Sequence, residues 1–396
     1  MLSEVPEGWA HGPLSGFIEE IYGGGTPSKL SPEYWDGDVF WASVKDMTEF
    51  SPIQTQDKIT QAGLSNSAAK MVSAGDLVLC TRMAVGVVRQ FKVDVAINQD
   101  LKAIIPKEGI ERGFLYWWFS HNRGTLEQLA TGTTVKGLKQ NSILTLELLL
   151  PPLPEQKRIA EILSSVDESI QATQSVFDQA ERVKRGLMED LLTGGLGSEA
   201  IARGEVPEGW RLSNFGAEID FKGGNQPPKN TFAYVPTEGY VRLLQIRDFE
   251  HDDKPAYIPK DATRVRCDEK DILIARYGAS LGRICRGKSG AYNVALVKLI
   301  ISENLLDDFA FYWLNSKHFQ VFLAQVGSRS AQAGFNKSDL APLPLLLPPL
   351  PEQKRIAEIL SSVDEFIQSQ KQIIDQYQVT KKGLMDDLLT GRVRTV

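Results

Sequence analysis

A chain of 396 residues is longer than one hydrophobic core ordinarily organises, so two or three domains are expected. Its 42% hydrophobic, 24% charged and 9% aromatic residues are those of a folded protein, and it holds neither a basic leader followed by an apolar stretch nor an uncharged apolar run of about eighteen residues, which argues against secretion and membrane spanning. The net charge of −6 lies mainly in two segments, 155–194 at −3 and 352–391 at −2, so a basic nucleic-acid face elsewhere is neither required nor excluded.

In chain order, a first module is expected over residues 1–150. It opens on VPEGW, from Val5 to Trp9, and reaches a glycine-rich stretch, Gly23 to Thr26, that, like Gly223 to Gln226 in the second half, reads equally well as a plain turn or as a backbone cradle for phosphate. Lys45-Asp46 follows the strand-like run from Phe40 to Val44, and Arg82 follows another from Asp76 to Cys80. Asn98 and Gln99 precede an apolar run, and the loop from Thr131 to Lys136 contains Thr133 and Lys136. Groove recognition needs Arg or Lys for guanine and Asn or Gln for adenine, so Lys45, Arg82, Asn98, Gln99, Thr133 and Lys136 are the module's candidate DNA contacts; for Asn98 and Gln99, as for Asn293 at the matching point of the second module, internal hydrogen bonding is the stronger reading.

A helical segment is expected over 151–203. Pro154 suits a first helical turn, with Glu155 at the positive end of the dipole. From there Ile159, Leu163, Val166, Ile170, Phe177, Leu187 and Leu191 follow a heptad seam, broken by Thr173 and Lys184, and Gly194 ends it. About forty residues at 1.5 Å each make a rod of roughly 60 Å.

The second module, expected over 204–347, restarts with VPEGW at Val206 to Trp210 and is rich in cations: Arg242, Arg247, Arg264, Arg266, Arg276, Arg283, Arg286 and Lys288. Arg276-Tyr277 follows the strand-like run ending at Ala275, a strand end where loops carry function. Arg247, Arg264, Arg266, Arg276, Tyr277, Arg283, Asn293 and Arg329 are its candidate DNA contacts. The last segment, 348–396, repeats the helix. Its seam is Ile356, Leu360, Val363, Ile367, Ile374, Tyr377, Leu384 and Leu388, with Gln370 and Lys381 at the polar breaks.

The repetition is the strongest signal. LLLPPLPEQKRIAEILSSVDE occurs unchanged at 148–168 and at 345–365, 197 positions apart, and KRGLMEDLLTG at 184–194 returns as KKGLMDDLLTG at the same offset. Between these anchors the halves agree only in places: Gly23, Gly24 and Pro27 answer Gly223, Gly224 and Pro227, Lys45-Asp46 answers Arg247-Asp248, and Asp76-Leu77 answers Asp271-Ile272. The pattern is α+β: two α/β modules with divergent surfaces on two near-identical helices. Those helices are expected to pair antiparallel as a coiled coil with pseudo-twofold symmetry. Duplex DNA has the same local dyad, so two unlike half-sites separated by an unread spacer are the expected target.

The run PLPEQKRIAEIL after an apolar strand, its return some two hundred residues on, and GGTPS at Gly24 to Ser28 with Tyr34, Trp35 and Trp41 resemble type I restriction-modification specificity subunits over essentially the whole chain. The resemblance implies two target recognition domains, double-stranded DNA as ligand, docking of two modification subunits that carry S-adenosylmethionine and methylate adenine at N6, and recruitment of restriction subunits that use ATP and Mg. No cofactor or metal is expected in this chain, which is expected to be a non-catalytic cytoplasmic component.

The residues agree with the absence of chemistry. No phosphate-loop lysine follows Gly23 to Gly25, Asn225-Gln226-Pro227-Pro228 has the wrong order for a methyltransferase tetrad, and His251-Asp252-Asp253 reads as a solvated turn. His11, His121 and His318 have no metal-binding spacing, nor do Cys80, Cys267 and Cys285, whose odd number fits a reducing compartment. Two rivals remain: a specificity subunit whose partner fuses modification with cleavage, and a coiled-coil scaffold for proteins.

Overall fold

The computed structural model describes residues 5–48, 52–132, 136–327 and 334–395. The chain forms two compact units, one of Met1–Gln174 with Gln372–Val396 and one of Ser175–Lys371. Two long helices, Leu153–Thr193 and Leu350–Leu388, each contribute one part to each unit.

Unit 1 holds β1 (Ala10–Pro13), β2 (Ile18–Gly23), β3 (Trp35–Ala42), β4 (Asp57–Ile59), β5 (Lys70–Val72), β6 (Leu77–Cys80), β7 (Val88–Gln90), β8 (Val95–Ile97), β9 (Leu101–Pro106) and β10 (Glu147–Leu150). One sheet runs β2-β9-β6-β7, a second β4-β3-β8-β5, and β1 pairs with β10. β6 and β8 are wholly buried, as their unbroken apolar sequences require. Cys80, Val78, Ile97, Ala42 and Phe91 join in one cluster. A larger cluster collects Phe114, Trp117 and Trp118 from the helix Arg112–His121, Ile159 and Leu163 from the start of the first long helix, and Leu388 and Leu389 from the end of the second.

Unit 2 repeats the plan with β11 (Arg211–Asn214), β12 (Ile219–Gly223), β13 (Tyr240–Leu244), β14 (Tyr257–Pro259), β15 (Leu273–Ala275), β16 (Ile284–Cys285), β17 (Ala291–Tyr292), β18 (Leu296–Ile301) and β19 (Pro344–Leu347). Its sheets run β12-β18-β15-β16 and β14-β13-β17, with β11 on β19. The first matches β2-β9-β6-β7, and the second matches β4-β3-β8, with the β5–β8 pairing reduced among the described residues to a single antiparallel bridge between Cys267 and Gly290.

Within each unit the long helices run antiparallel. In unit 1 Asp167 pairs with Lys381, and in unit 2 Lys184 pairs with Asp364 at 2.5 Å. The positions 167 and 364, like 184 and 381, stand 197 apart, so one contact is made twice. The lysines that break each heptad seam therefore have acidic partners on the opposite helix. The seam is not uniform along its length. Ile159, Leu163, Ile356 and Leu360 are buried against module aromatics as well as the partner helix, Leu187, Leu191 and Leu384 pack at the edge of those clusters, and Leu388 closes one of them. Val166, Ile170, Phe177 and Val363 are half-buried, Ile367 and Ile374 are buried, and Tyr377 departs from the seam as an exposed side chain.

The unchanged repeat has local reasons. Gln156 accepts from the Glu111 backbone N–H at 2.7 Å and donates to the Pro151 carbonyl at 2.8 Å; Gln353 does the same with Leu306 at 2.8 Å and Pro348 at 3.0 Å. Each glutamine thus fastens a module helix to a long helix. Gly391 and Gly194 turn out of their helices at φ +71° and +60°, and each is covered by VPEGW residues, Pro6 and Trp9 for Gly391, Pro207 and Trp210 for Gly194. Each VPEGW therefore caps the helix that ends in its own unit.

Candidate nucleic-acid interface

In both units three strands end at one corner. β3 and β8 are parallel neighbours in register Ala42 to Ile97, and β13 and β17 in register Leu244 to Tyr292, so each pair delivers its following residues to the same side. The Asn98 N–H donates to Ala42 O at 3.1 Å, and the Asn293 N–H to Leu244 O at 3.0 Å. The third strand, β6 or β15, ends nearby: the Thr81 N–H reaches Asp100 O and the Arg276 N–H reaches Ala295 O, both at 2.8 Å.

Beyond β3 the backbone N–H of Ser43 donates to Asp46 Oδ2 at 2.8 Å, closing a 3-10 turn, Val44–Asp46, that presents Lys45. Lys45 is 67% exposed, with Asp57 4.0 Å away. Gln245 and Asp248 build the same turn, Ile246–Phe249, and present Arg247, which is about half exposed. The sequence match of Lys45-Asp46 with Arg247-Asp248 is thus a match of structure.

In unit 1 the corner opens into a cleft of about 530 Å³ lined by Thr26, Lys29, Trp35, Trp41, Lys45 and Gln99 among others. Trp41 and Trp35 meet edge to face at 5.2 Å and donate their indole N–H groups to Gly25 O at 3.1 Å and Ser28 O at 3.0 Å. They hold the GGTPS loop in place. Gln99 accepts from Thr26 Oγ1 at 2.6 Å. Asn98 is buried and spent internally, donating to Asp100 Oδ2 at 3.1 Å and accepting from the Asp100 N–H at 3.0 Å. The base-reading role for Asn98 gives way to a positioning one. Arg82 lies 3.8 Å from Asp100, 55% exposed, and bridges to Gly137 beside the exposed Lys136. Thr133 and Arg329 lie outside the described residues.

The phosphate-cradle reading of the glycines is overturned. A side chain at Gly24 would collide with Ile97 O, and one at Gly224 with Asn293 O, so close strand approach explains both. The N–H groups of Gly25, Gly224 and Asn225 bond to Ile97 O, Leu296 O and Tyr292 O, each at 3.1 Å, and are not offered to an anion.

The arginine-rich face of unit 2 is also more self-contained than its composition suggests. Arg242 and Lys288 both pair with Asp252, Arg283 with Glu250, and Arg286 with Asp308 at 2.6 Å. Those hydrogen bonds from Lys288 and Arg242 hold the Asp252 carboxyl below its usual range, so the His251-Asp252-Asp253 stretch is tied into this network. Among the described residues no cluster of three metal-ligating side chains occurs. Arg276 donates from Nε to Phe335 O at 3.0 Å and from a terminal nitrogen to Asn336 Oδ1 at 2.5 Å, and its guanidinium lies 5.2 Å from the Tyr277 ring. It positions Tyr277, which is 43% exposed. Arg266 donates to Lys260 O at 2.7 Å, whereas Arg264 is exposed. Asn293 Oδ1 is buried with no hydrogen-bond partner. Lys45, Arg82, Gln99, Arg247 and Tyr277 thus collect at the two corners, with Arg276 and Asn293 beneath, while Arg264 and Arg266 lie on the separate stretch that follows β14.

Sequence reasoning passed over Thr26, Lys29 and Met83 at this corner. The offset of 195 that relates Asp76-Leu77 to Asp271-Ile272 pairs Met83 with Gly278, and that substitution was visible before the fold was known. The three cysteines are free and buried, and burial pushes the Cys80 thiol up to about 12 and those of Cys267 and Cys285 to about 11. No described helix is long and apolar enough to cross a membrane.

Residues 6–182 and 219–378 match the model of the type I restriction modification DNA specificity domain. The chain is 23% identical to the type I restriction enzyme MjaIX specificity subunit of Methanocaldococcus jannaschii, over 99% of this chain and 95% of that protein. It is 32% identical to the EcoR124I/EcoR124II specificity subunit of Escherichia coli over 42% of this chain and 43% of that protein. Its fold resembles the type I restriction-modification S subunit of M. genitalium, with a TM-score of 0.63 at 14% identity, covering 98% of both chains. With two recognition units on two long helices and a family match to both halves, the chain belongs to the type I restriction-modification DNA specificity subunits.

Proposed function

We propose that this protein selects the DNA target of a type I restriction-modification complex, each unit reading one half of a two-part asymmetric site through its strand-end corner. The observation that carries this reading is that one corner is built twice on an unchanged frame with different side chains. Ser43, Lys45, Arg82 and Met83 in unit 1 stand where unit 2 has Gln245, Arg247, Tyr277 and Gly278. Different side chains on one scaffold are what two unlike half-sites require, with base-edge contacts carrying the sequence and phosphate contacts fixing the register. The long helices, with Gln156 and Gln353 pinning the modules, are the docking frame for two modification subunits and for restriction subunits. S-adenosylmethionine, ATP and Mg belong to those partners, and adenine N6 is the methylated position.

Genome-wide mapping of modified adenines in cells expressing this protein with the modification subunit of its own locus tests the reading. One two-part motif with a gap of fixed length is expected. A single contiguous motif, or no modification that depends on this chain, would overturn it.

A further inference from the structure

At the unit 1 corner the chain turns at Met83 through a backbone conformation that a side chain resists. The Ala84 N–H donates to Arg82 O at 2.7 Å, and Met83 between them has φ +60°; a bond from residue i+2 back to residue i around a positive φ marks the rare, strained form of γ-turn. Among the described residues the other non-glycine residue with positive φ is Asp36, whose short polar side chain tolerates that region better.

Unit 2 places a glycine at the same distance beyond its strand end. Cys80 stands opposite Leu101 in the β6–β9 pair, and Ala275 opposite Leu296 in the β15–β18 pair, so the residue three places beyond is Met83 in one unit and Gly278 in the other. Gly278 has φ +77°. Both loops leave the strand end through a positive φ, which glycine adopts freely and which strains a methionine, although the unit 2 loop is one residue longer and continues as a 3-10 turn. Burial does not offset that strain, because the side chain is 79% exposed. An apolar side chain that is both strained and solvated gains its stabilisation when something covers it. Its neighbours point to what that is: Arg82 precedes it, Arg82 pairs with Asp100, and Asp100 bonds Asn98 at the cleft.

We propose, on the half-site reading above, that Met83 is a specificity-determining residue of the unit 1 half-site, making an apolar contact with the C5-methyl group of a thymine in the groove while Arg82 beside it takes a phosphate. The unbranched thioether chain suits a methyl-sized target and needs no hydrogen-bond partner.

The test uses the full chain assembled with its modification subunits and, as probe, duplex DNA carrying the mapped site. Met83→Ala removes the side chain and keeps most of the strain; Met83→Gly removes both. Both are expected to weaken binding roughly five- to tenfold and to relax preference at one base pair of the unit 1 half-site, leaving the other half-site as it was. Replacing that thymine with deoxyuridine should weaken the unaltered protein by a similar factor and leave Met83→Gly unaffected. The free Met83→Gly chain should melt higher than the unaltered one, the sign of released strain. Unchanged base preference in both variants, or indifference to deoxyuridine, would overturn the assignment while the half-site reading stood. Failure of the unaltered complex to recognise any two-part site would take both down.

Discussion

Glu155 and Glu352 occupy the same place in an identical stretch of sequence, yet one is fully buried and the other is exposed. Glu155 accepts from Trp9 Nε1 at 3.0 Å and from two nitrogens of Arg394 at 2.8 Å each, and Arg394 lies over the Trp9 ring at 5.7 Å. Burial pushes this carboxyl up, but the bonds from Arg394, the Thr395 N–H and Trp9 outweigh it and hold it below the usual range. A lowered folded value means that the stabilisation is complete above the ordinary carboxyl range and is lost as pH falls through the folded value. Glu155→Gln should therefore lower the melting temperature at neutral pH and flatten the acid limb of a stability-against-pH curve. Glu352→Gln should stay within about 0.5 kcal/mol of the unaltered chain. Equal effects from the two substitutions would contradict the clasp. For the interface, Lys45→Ala and Arg247→Ala should each weaken DNA binding and reduce the slope of log affinity against log salt by about one, if each neutralises a phosphate. An unchanged slope for both would place them off the DNA.

Among the elements, the long helices carry their register in two ion pairs. Asp167 with Lys381 and Lys184 with Asp364 lie at the margin of apolar packing, with the aspartates 11% and 33% exposed. Removing one partner leaves a partly buried charge, so Lys381→Glu should destabilise the protein by about 1–3 kcal/mol. The exchange Asp167→Lys with Lys381→Glu should recover much of that, and a double-mutant cycle in denaturant measures the coupling. Full additivity would mean that the pair does not set the register. The heptad pattern located the helices and both polar breaks, because a seven-residue repeat survives any tertiary setting. The partners of the breaks were less legible: Asp167 and Asp364 sit one residue beyond Val166 and Val363, and only the antiparallel pairing selects them from the other acids of each helix. Tyr377 left the seam although Ile367 and Ile374 before it are buried, a departure that the heptad alone does not reveal.

Across the whole molecule, each long helix takes part in both units, so the length of paired helix is the quantity that insertion should change. One heptad added to the first long helix alone should weaken the assembled complex, whereas matched heptads in both should lengthen the unread gap by a fixed step, read by remapping modified adenines. Retention of the original gap with full activity would refute helix length as the spacer. Replacing residues 1–150 with another first module should alter one half-site alone.

Repeat length, the α+β alternation, the helical seams and the family likeness all follow from the order of residues, because periodicity and exact duplication are properties of sequence. The strand-end corners were partly legible for the same reason: Lys45 with Arg247, and the exposed Tyr277, follow strand-like runs. The three-dimensional fold decided what the residue types could not. It spent Asn98, Arg276, Arg283 and the N–H groups of Gly25 and Gly224 on internal bonds, because polar groups drawn out of water take the nearest partners, and these were protein. It gave Glu155 and Glu352 opposite environments from identical sequence. A residue's burial and partners are set by chain segments distant in sequence, here Trp9 and Arg394 about one hundred and fifty and two hundred and forty positions from Glu155.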